Sequence, residues 1–263
     1  MVRVSDKRPG QNLKTDVLVV GGGAAGLAAA CTAARAGARV LLLEKYGFCG
    51  GAAVAGLSGT VCGLYAATDN RSAAPEKVVF GFADRFLDVM KMKSGITDPI
   101  RYGKTFTHSH DPLVWREAGD HLLEESGVKV LFHTAVVDVL NDGERVEGVV
   151  AWTKQGRIDV QAGITIDASG DADLAALAGF ETFVGRDGIV QNPTMIFRLI
   201  GVDVTRFLLW RRLDPRRRSL SDDPEPAQQP GIRSAAREGV YVSDAAAERT
   251  ALQLHPHHRP RRP

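Results

Sequence analysis

Cysteine is scarce in this chain: three residues in 263, Cys31, Cys49 and Cys62, with no C-x-x-C pair among them. That count excludes a disulfide framework. Aromatic residues are also few, at 6%, and no apolar run approaches the length of a membrane span. The first apolar block is broken by Arg35 and Arg39, and the polar start "MVRVSDKRPGQNLKTD" lacks the apolar core of a signal peptide. Cytoplasmic placement, with no membrane partner, is therefore the expectation. Charge of one sign is missing as well. The formal net charge is +2, with 22 basic and 24 acidic residues before position 211. The main body therefore has no bulk attraction for nucleic acid.

What the chain has is glycine in particular places. "DVLVVGGGAAGLAAACTAARAGARVLLLEK" begins with Val17–Val20, a continuous apolar run that suits a strand buried in a parallel sheet. Gly21, Gly23 and Gly26 then spell G-x-G-x-x-G. The first permits a tight strand-to-helix turn, the second a close approach of a pyrophosphate, the third close packing of helix on strand. An alanine-rich helix is expected from Ala24 to Ala36, ending at Gly37. A second strand, Arg39–Leu43, ends in Glu44, which lies 18 residues beyond Gly26. An acid near that distance is placed to bond a ribose hydroxyl, and it would repel a 2′-phosphate. Strand, glycine turn, helix and acid together predict dinucleotide binding. The motif does not separate FAD from NAD.

Further on, "KYGFCGGAAVAGLSGTVCGLY" places Gly50 and Gly51 in a second loop expected to contact the cofactor. Cys31 is expected to pack as a small helix residue. Cys49 and Cys62 are expected to be buried rather than to face a ligand. Residues 75–94 have helical apolar spacing, and Asp111–Pro112 opens another helix that stops at Gly127. His108 and His110 are acid–base candidates beside that start, with surface placement as the alternative. His121 is expected to be structural. Val128–Phe132 should form a buried strand. Ala135–Leu140, Val146–Trp152 and Ile158–Val160 should form a three-strand meander, followed by a separate strand, Ile164–Asp167. "DASGDADLAALAG" then repeats the glycine-before-helix pattern. Residues 211–263 hold seven of the twelve prolines and three of the seven histidines, with 11 basic against 7 acidic residues. They predict a solvated, disordered tail, and their histidines lack metal-site spacing.

The sequence resembles the FAD-dependent oxidoreductases of the glutathione-reductase-like superfamily. More narrowly, "GGGAAGLAAA", "LLLEKYGFCGG" and "TIDASGDADLAALAG", in that order, are similar to the branch related to the flavin domain of heterodisulfide reductase. The resemblance covers roughly residues 14 to 210. It implies an α/β, Rossmann-like, three-layer FAD/NAD(P)-binding fold, with a parallel sheet and an antiparallel three-strand meander. It also implies one FAD-binding domain over 14–210 with an inserted substrate-side segment at about 52–127, and FAD rather than NAD as cofactor. By resemblance, Gly21, Gly23, Ala24, Ala25 and Gly26 hold the pyrophosphate and Glu44 the ribose. Lys45, Gly50 and Gly51 line the cofactor, Val136 meets the adenine, and Ala168, Ser169, Gly170 and Asp171 form the second nucleotide-side motif. The implied activity is electron transfer between a small organic substrate and flavin, with no catalytic side chain assigned. Two departures stand out. The C-terminal glycine–aspartate motif of the family is missing after residue 210, which suggests a shortened member that holds only part of the flavin wall. Some relatives carry a four-iron cluster, whose four thiolate ligands three cysteines cannot supply.

Overall fold

The computed structural model describes residues 11–143, 145–186, 189–197, 200–203, 206, 241–243 and 251–253. In chain order these form β1 (Gln11–Val20), α1 (Ala24–Arg35), β2 (Val40–Leu43), β3 (Thr60–Val61) and α2 (Phe82–Met92). Next come β4 (Ile100–Tyr102), β5 (Thr105–Ser109), α3 (Pro112–Glu125), β6 (Lys129–Leu131) and β7 (Ala135–Asn141). β8 (Val146–Thr153), β9 (Gly156–Asp167) and α4 (Asp173–Leu177) follow, with β10 (Tyr241–Ser243) and β11 (Ala251–Gln253) last. Two compact units emerge. One joins the described residues up to Ala55 with those from Arg116 to Ile189; the other joins Gly56–Trp115 with the described residues from Val190 on.

The first unit is built on a six-stranded sheet of order β6-β2-β1-β9-β8-β7. β6, β2, β1 and β9 run parallel, while β8 and β7 return antiparallel. Parallel neighbours need a crossover connection, and α1 supplies it between β1 and β2. This is the α/β arrangement expected from the sequence, a parallel sheet joined to an antiparallel meander. The apolar runs explain its core. Leu18, Val20, Leu41, Leu43, Val149, Ala151, Ile158, Val160 and Leu174 form one buried cluster. Each large aliphatic side chain in it contributes about 1.5–3 kcal/mol relative to exposure. On α1, Leu27, Ala30 and Cys31 are buried, and the Cys31 thiol donates to the Leu122 carbonyl of α3 at 3.5 Å.

Several boundaries differ from the sequence expectation. β1 extends back to Gln11, because its polar N-terminal half pairs with β9 from Gln11↔Ile158 onward. The expected strands Ile158–Val160 and Ile164–Asp167 are a single strand, β9. Its first half pairs with β8 and nearly its whole length with β1. β6 is an edge strand with Lys129 exposed, not a fully buried one.

In the second unit, β3, β5 and β4 form a small antiparallel sheet. The β4–β5 hairpin turns at Gly103 and was not anticipated. Residues 75–81 are not helical. α2 starts after Gly81, where the Asp84 carboxylate accepts the Gly81 N–H at 2.7 Å and also pairs with Lys77. Asp111 does cap α3, accepting the Leu113 N–H at 2.7 Å. Within the tail, β10 and β11 pair antiparallel; the expectation of disorder otherwise falls on residues outside those described.

Candidate functional site

A cleft of about 550 Å³ opens at the carboxyl ends of β1, β2 and β9 in the first unit. That is where ligands bind in open α/β sheets. Its wall is made by the turn after β1, the N-terminus of α1, the segment after β2, the start of β7 and the loop after β9.

The β1–α1 turn is shaped by its glycines. Gly21 has φ +100°, and a Cβ there would lie 2.3 Å from the Ala168 carbonyl oxygen, so this turn and the β9 loop close on each other. A Cβ on Gly26 would lie 1.8 Å from the Gly21 carbonyl oxygen. That glycine lets α1 sit against its own turn. Gly23 differs from both. A Cβ there would meet only the Gly51 Cα, at 3.9 Å. Its space faces the cleft rather than the protein. Gly23 caps α1 without a side-chain hydrogen bond, and the first turn holds no acid. The N–H groups at such a helix start lack intrahelical partners and favour an anion. The residues present therefore fit a pyrophosphate.

Glu44 is 4% exposed. One carboxylate oxygen accepts the Gly22 N–H at 2.6 Å, and the other accepts the Tyr46 N–H at 2.8 Å. A carboxylate has about four acceptor sites, so both oxygens retain capacity toward the cleft that Glu44 lines. Sequence reasoning singled out Glu44, which does line the cleft, but missed that the acid ties the glycine turn to the end of β2. It also missed Tyr46, which lines the cleft and stacks on Phe48 at 5.5 Å.

Gly21, Gly23, Ala24, Ala25, Lys45, Gly51, Val136, Ala168, Ser169, Gly170 and Asp171 all line the same cleft. Gly26 and Gly50 stand behind its wall, and the Gly50 N–H donates to the Gly22 carbonyl at 2.8 Å. The β9 loop is held by Asp167, which sequence reasoning did not single out. Its Oδ1 accepts from Ser169 N and Oγ at 3.0 and 2.6 Å, and its Oδ2 from Leu174 N and Ala175 N at 3.0 and 3.1 Å. Partial burial works to raise its pKa. The hydrogen bonds from Ser169, Ala175 and Leu174 outweigh that and hold the carboxyl below its ordinary value. An aspartate directly before a glycine loop, with helix-forming residues seven positions on, was the available signal.

The cysteines divide. Cys49 is buried behind Gly22, with its thiol pushed up to about 12 by burial first and then by Glu44. It is chemically quiet. Cys62 lies in the second unit, in the loop just past β3, and is exposed, contrary to expectation. His108 and His110 are each 1% exposed, inside the second unit, and do not line the cleft. His121 is on the surface of α3. Among the described residues no group of three or more His, Cys, Asp or Glu is placed to hold a metal ion, and no helix is long and apolar enough to cross a membrane.

The thiamine thiazole synthase of Aeropyrum pernix is 34% identical over 144 residues, which is 54% of this chain and 46% of that one. The fumarate reductase (cytochrome) of Shewanella frigidimarina is 37% identical over 103 residues, 39% of this chain and 17% of that one. This chain thus spans less than half the length of either. Among solved structures, THI4 of Thermovibrio ammonificans has a TM-score of 0.44 at 19% identity, with 64% of each chain covered. The profile of the FAD dependent oxidoreductases matches residues 16–261, past residue 210, where the likeness carried by the three motifs stops. This chain belongs to the FAD dependent oxidoreductase family, whose cofactor is FAD.

Proposed function

We propose that this chain holds the ADP half of FAD in the first unit's cleft and serves an oxidoreductase that moves electrons between a small organic substrate and the flavin. One observation carries the reading: an uncapped, acid-free helix start, a buried acid and the 168–171 loop converge on one cleft. The pyrophosphate lies at the start of α1 over Gly21, Gly23, Ala24 and Ala25. The ribose hydroxyls bond Glu44, and the adenine lies between Lys45, Tyr46 and Val136. Ala168, Ser169, Gly170 and Asp171 flank the pyrophosphate on its far side. When bound, flavin supplies the redox chemistry, and the chain supplies position and electrostatics. The order of the three motifs supports the branch related to the flavin domain of heterodisulfide reductase. The balanced charge supports an enzyme without a nucleic-acid partner.

Competition tests the placement. FAD is titrated into the purified chain in the presence of ADP or of FMN. The reading predicts that ADP competes and FMN does not, since only ADP carries the ribose and diphosphate that the cleft recognises. Competition by FMN but not by ADP would contradict it.

A further inference from the structure

The geometry points to a second small-molecule pocket in the first unit, beside the cleft already described and shaped for a ring-bearing compound with one carboxylate. A cavity of about 360 Å³ opens between the end of β6, the segment that follows it and the β8–β9 turn. Ligand pockets begin at about 300 Å³ and are mostly apolar, with a few placed polar groups. The lining here has that composition. Ile158 belongs to the buried core cluster, and Leu13 and Leu131 pack against that cluster, so the floor is continuous with the core. Phe132 adds an exposed ring to the lining. Of the residues that line the first cleft, only Thr134 also lines this cavity, so the two are separate spaces with one residue in common.

Backbone bonds keep the cavity in shape. The Thr134 N–H donates to the Glu44 carbonyl and the His133 N–H to the Tyr46 carbonyl, both at 3.0 Å. Held in this way, His133 keeps φ +52°, a left-handed conformation uncommon outside glycine. In the β8–β9 turn the Thr153 hydroxyl donates to the Gly156 carbonyl at 2.9 Å and accepts the Gln155 N–H at 3.0 Å, which fixes the turn that carries Lys154. Charge sets the sign of the ligand. Among the described residues lining the cavity there is no acid, whereas Glu44, Asp171 and Asp173 line the first cleft. Arg157 is matched already: its Nε and one terminal nitrogen donate to the Asp159 carboxylate at 2.8 and 3.1 Å. Lys154 has no carboxylate partner among the described residues. His133 also lines the cavity, and its neutral ring offers one N–H. One unmatched cation beside an apolar floor suits one carboxylate on an apolar ring; a diphosphate calls for more positive charge than a single lysine.

Benzoate and benzamide, alike in shape and different in charge, are titrated into the full chain and followed by the shifts of assigned backbone amides in NMR spectra. Benzoate should move residues 132–134 and 154–158 saturably, in the millimolar range expected of so small a probe, and leave Gly21–Ala25 in place. Benzamide should bind at the same residues about fivefold more weakly, the upper range for an exposed ion pair. Lys154 is exposed in a turn, so its substitution should leave the fold intact. Lys154→Gln should weaken benzoate by about the same fivefold and leave benzamide unchanged, and Lys154→Arg should restore benzoate. Failure of benzoate to saturate in the millimolar range, shifts centred on Gly21–Ala25, or equal benzoate affinity in the wild type and Lys154→Gln would each overturn the assignment.

Discussion

Glu44 and Gly23 matter most at the scale of single residues, and they fail in different ways when changed. Glu44→Ala removes the proposed ribose acceptor and also leaves the Gly22 and Tyr46 N–H groups without their partner. FAD affinity should fall by about 1.5–3 kcal/mol, the range for hydrogen bonds to charged groups. The apo protein should also melt lower. Titration calorimetry reads the first effect and thermal unfolding the second. Unchanged affinity beside a lowered melting point would leave Glu44 a structural tie only. Gly23→Val places a branched side chain in space that the protein leaves open, the nearest atom to its Cβ being 3.9 Å away. The fold should survive by circular dichroism while FAD binding weakens by more than about 100-fold, roughly 2.7 kcal/mol. Gly26→Ala makes the opposite test. Its Cβ would meet the Gly21 carbonyl oxygen at 1.8 Å, so it should damage folding before binding. If Gly23→Val and Gly26→Ala behave alike, the glycine turn is only a packing device.

At the scale of elements, the loop after β9 depends on Asp167, which serves four donors. Asp167→Asn should destabilise the protein by about 1–2 kcal/mol, as loss of a helix-start acceptor does. The sign with pH follows from its lowered pKa. The contribution is complete above the ordinary aspartate value of 3.8 and is lost as pH falls through the lower folded value. Urea unfolding across the acidic range should show the wild type and Asp167→Asn converging at low pH; a constant gap would remove the carboxylate's role in holding the loop. Elements with continuous apolar letters were legible in the sequence, and so was the glycine turn, because buried parallel strands and phosphate loops leave local compositional marks. The polar half of β1 was not, since only its long-range partner β9 makes it a strand. The β4–β5 hairpin left a glycine at its turn but strands too short to signal by alternation. The helix expected over 75–94 was cut short by Gly81, whose capping by Asp84 outweighs the helical spacing of Val78 and Val79. In the site, the backbone-facing roles of Glu44 and Asp167 were missed, and so was Tyr46. Which N–H a buried carboxylate accepts is set by tertiary approach, and periodicity does not record it.

At the scale of the whole molecule, the residues lining the cleft all belong to the unit of Ala55 and earlier residues with 116–189. The family match over residues 16–261 gives the chain its cofactor, FAD, and the proposed seat is that cleft. The central claim is that this chain, as it stands, takes up FAD. The direct measurement is the visible spectrum of the purified full chain after incubation with excess FAD and removal of unbound cofactor, with the released cofactor identified by chromatography. The predicted result is a flavin band at about 450 nm and release of FAD in proportion to protein. A chain folded by circular dichroism that retains no FAD after this treatment would contradict it.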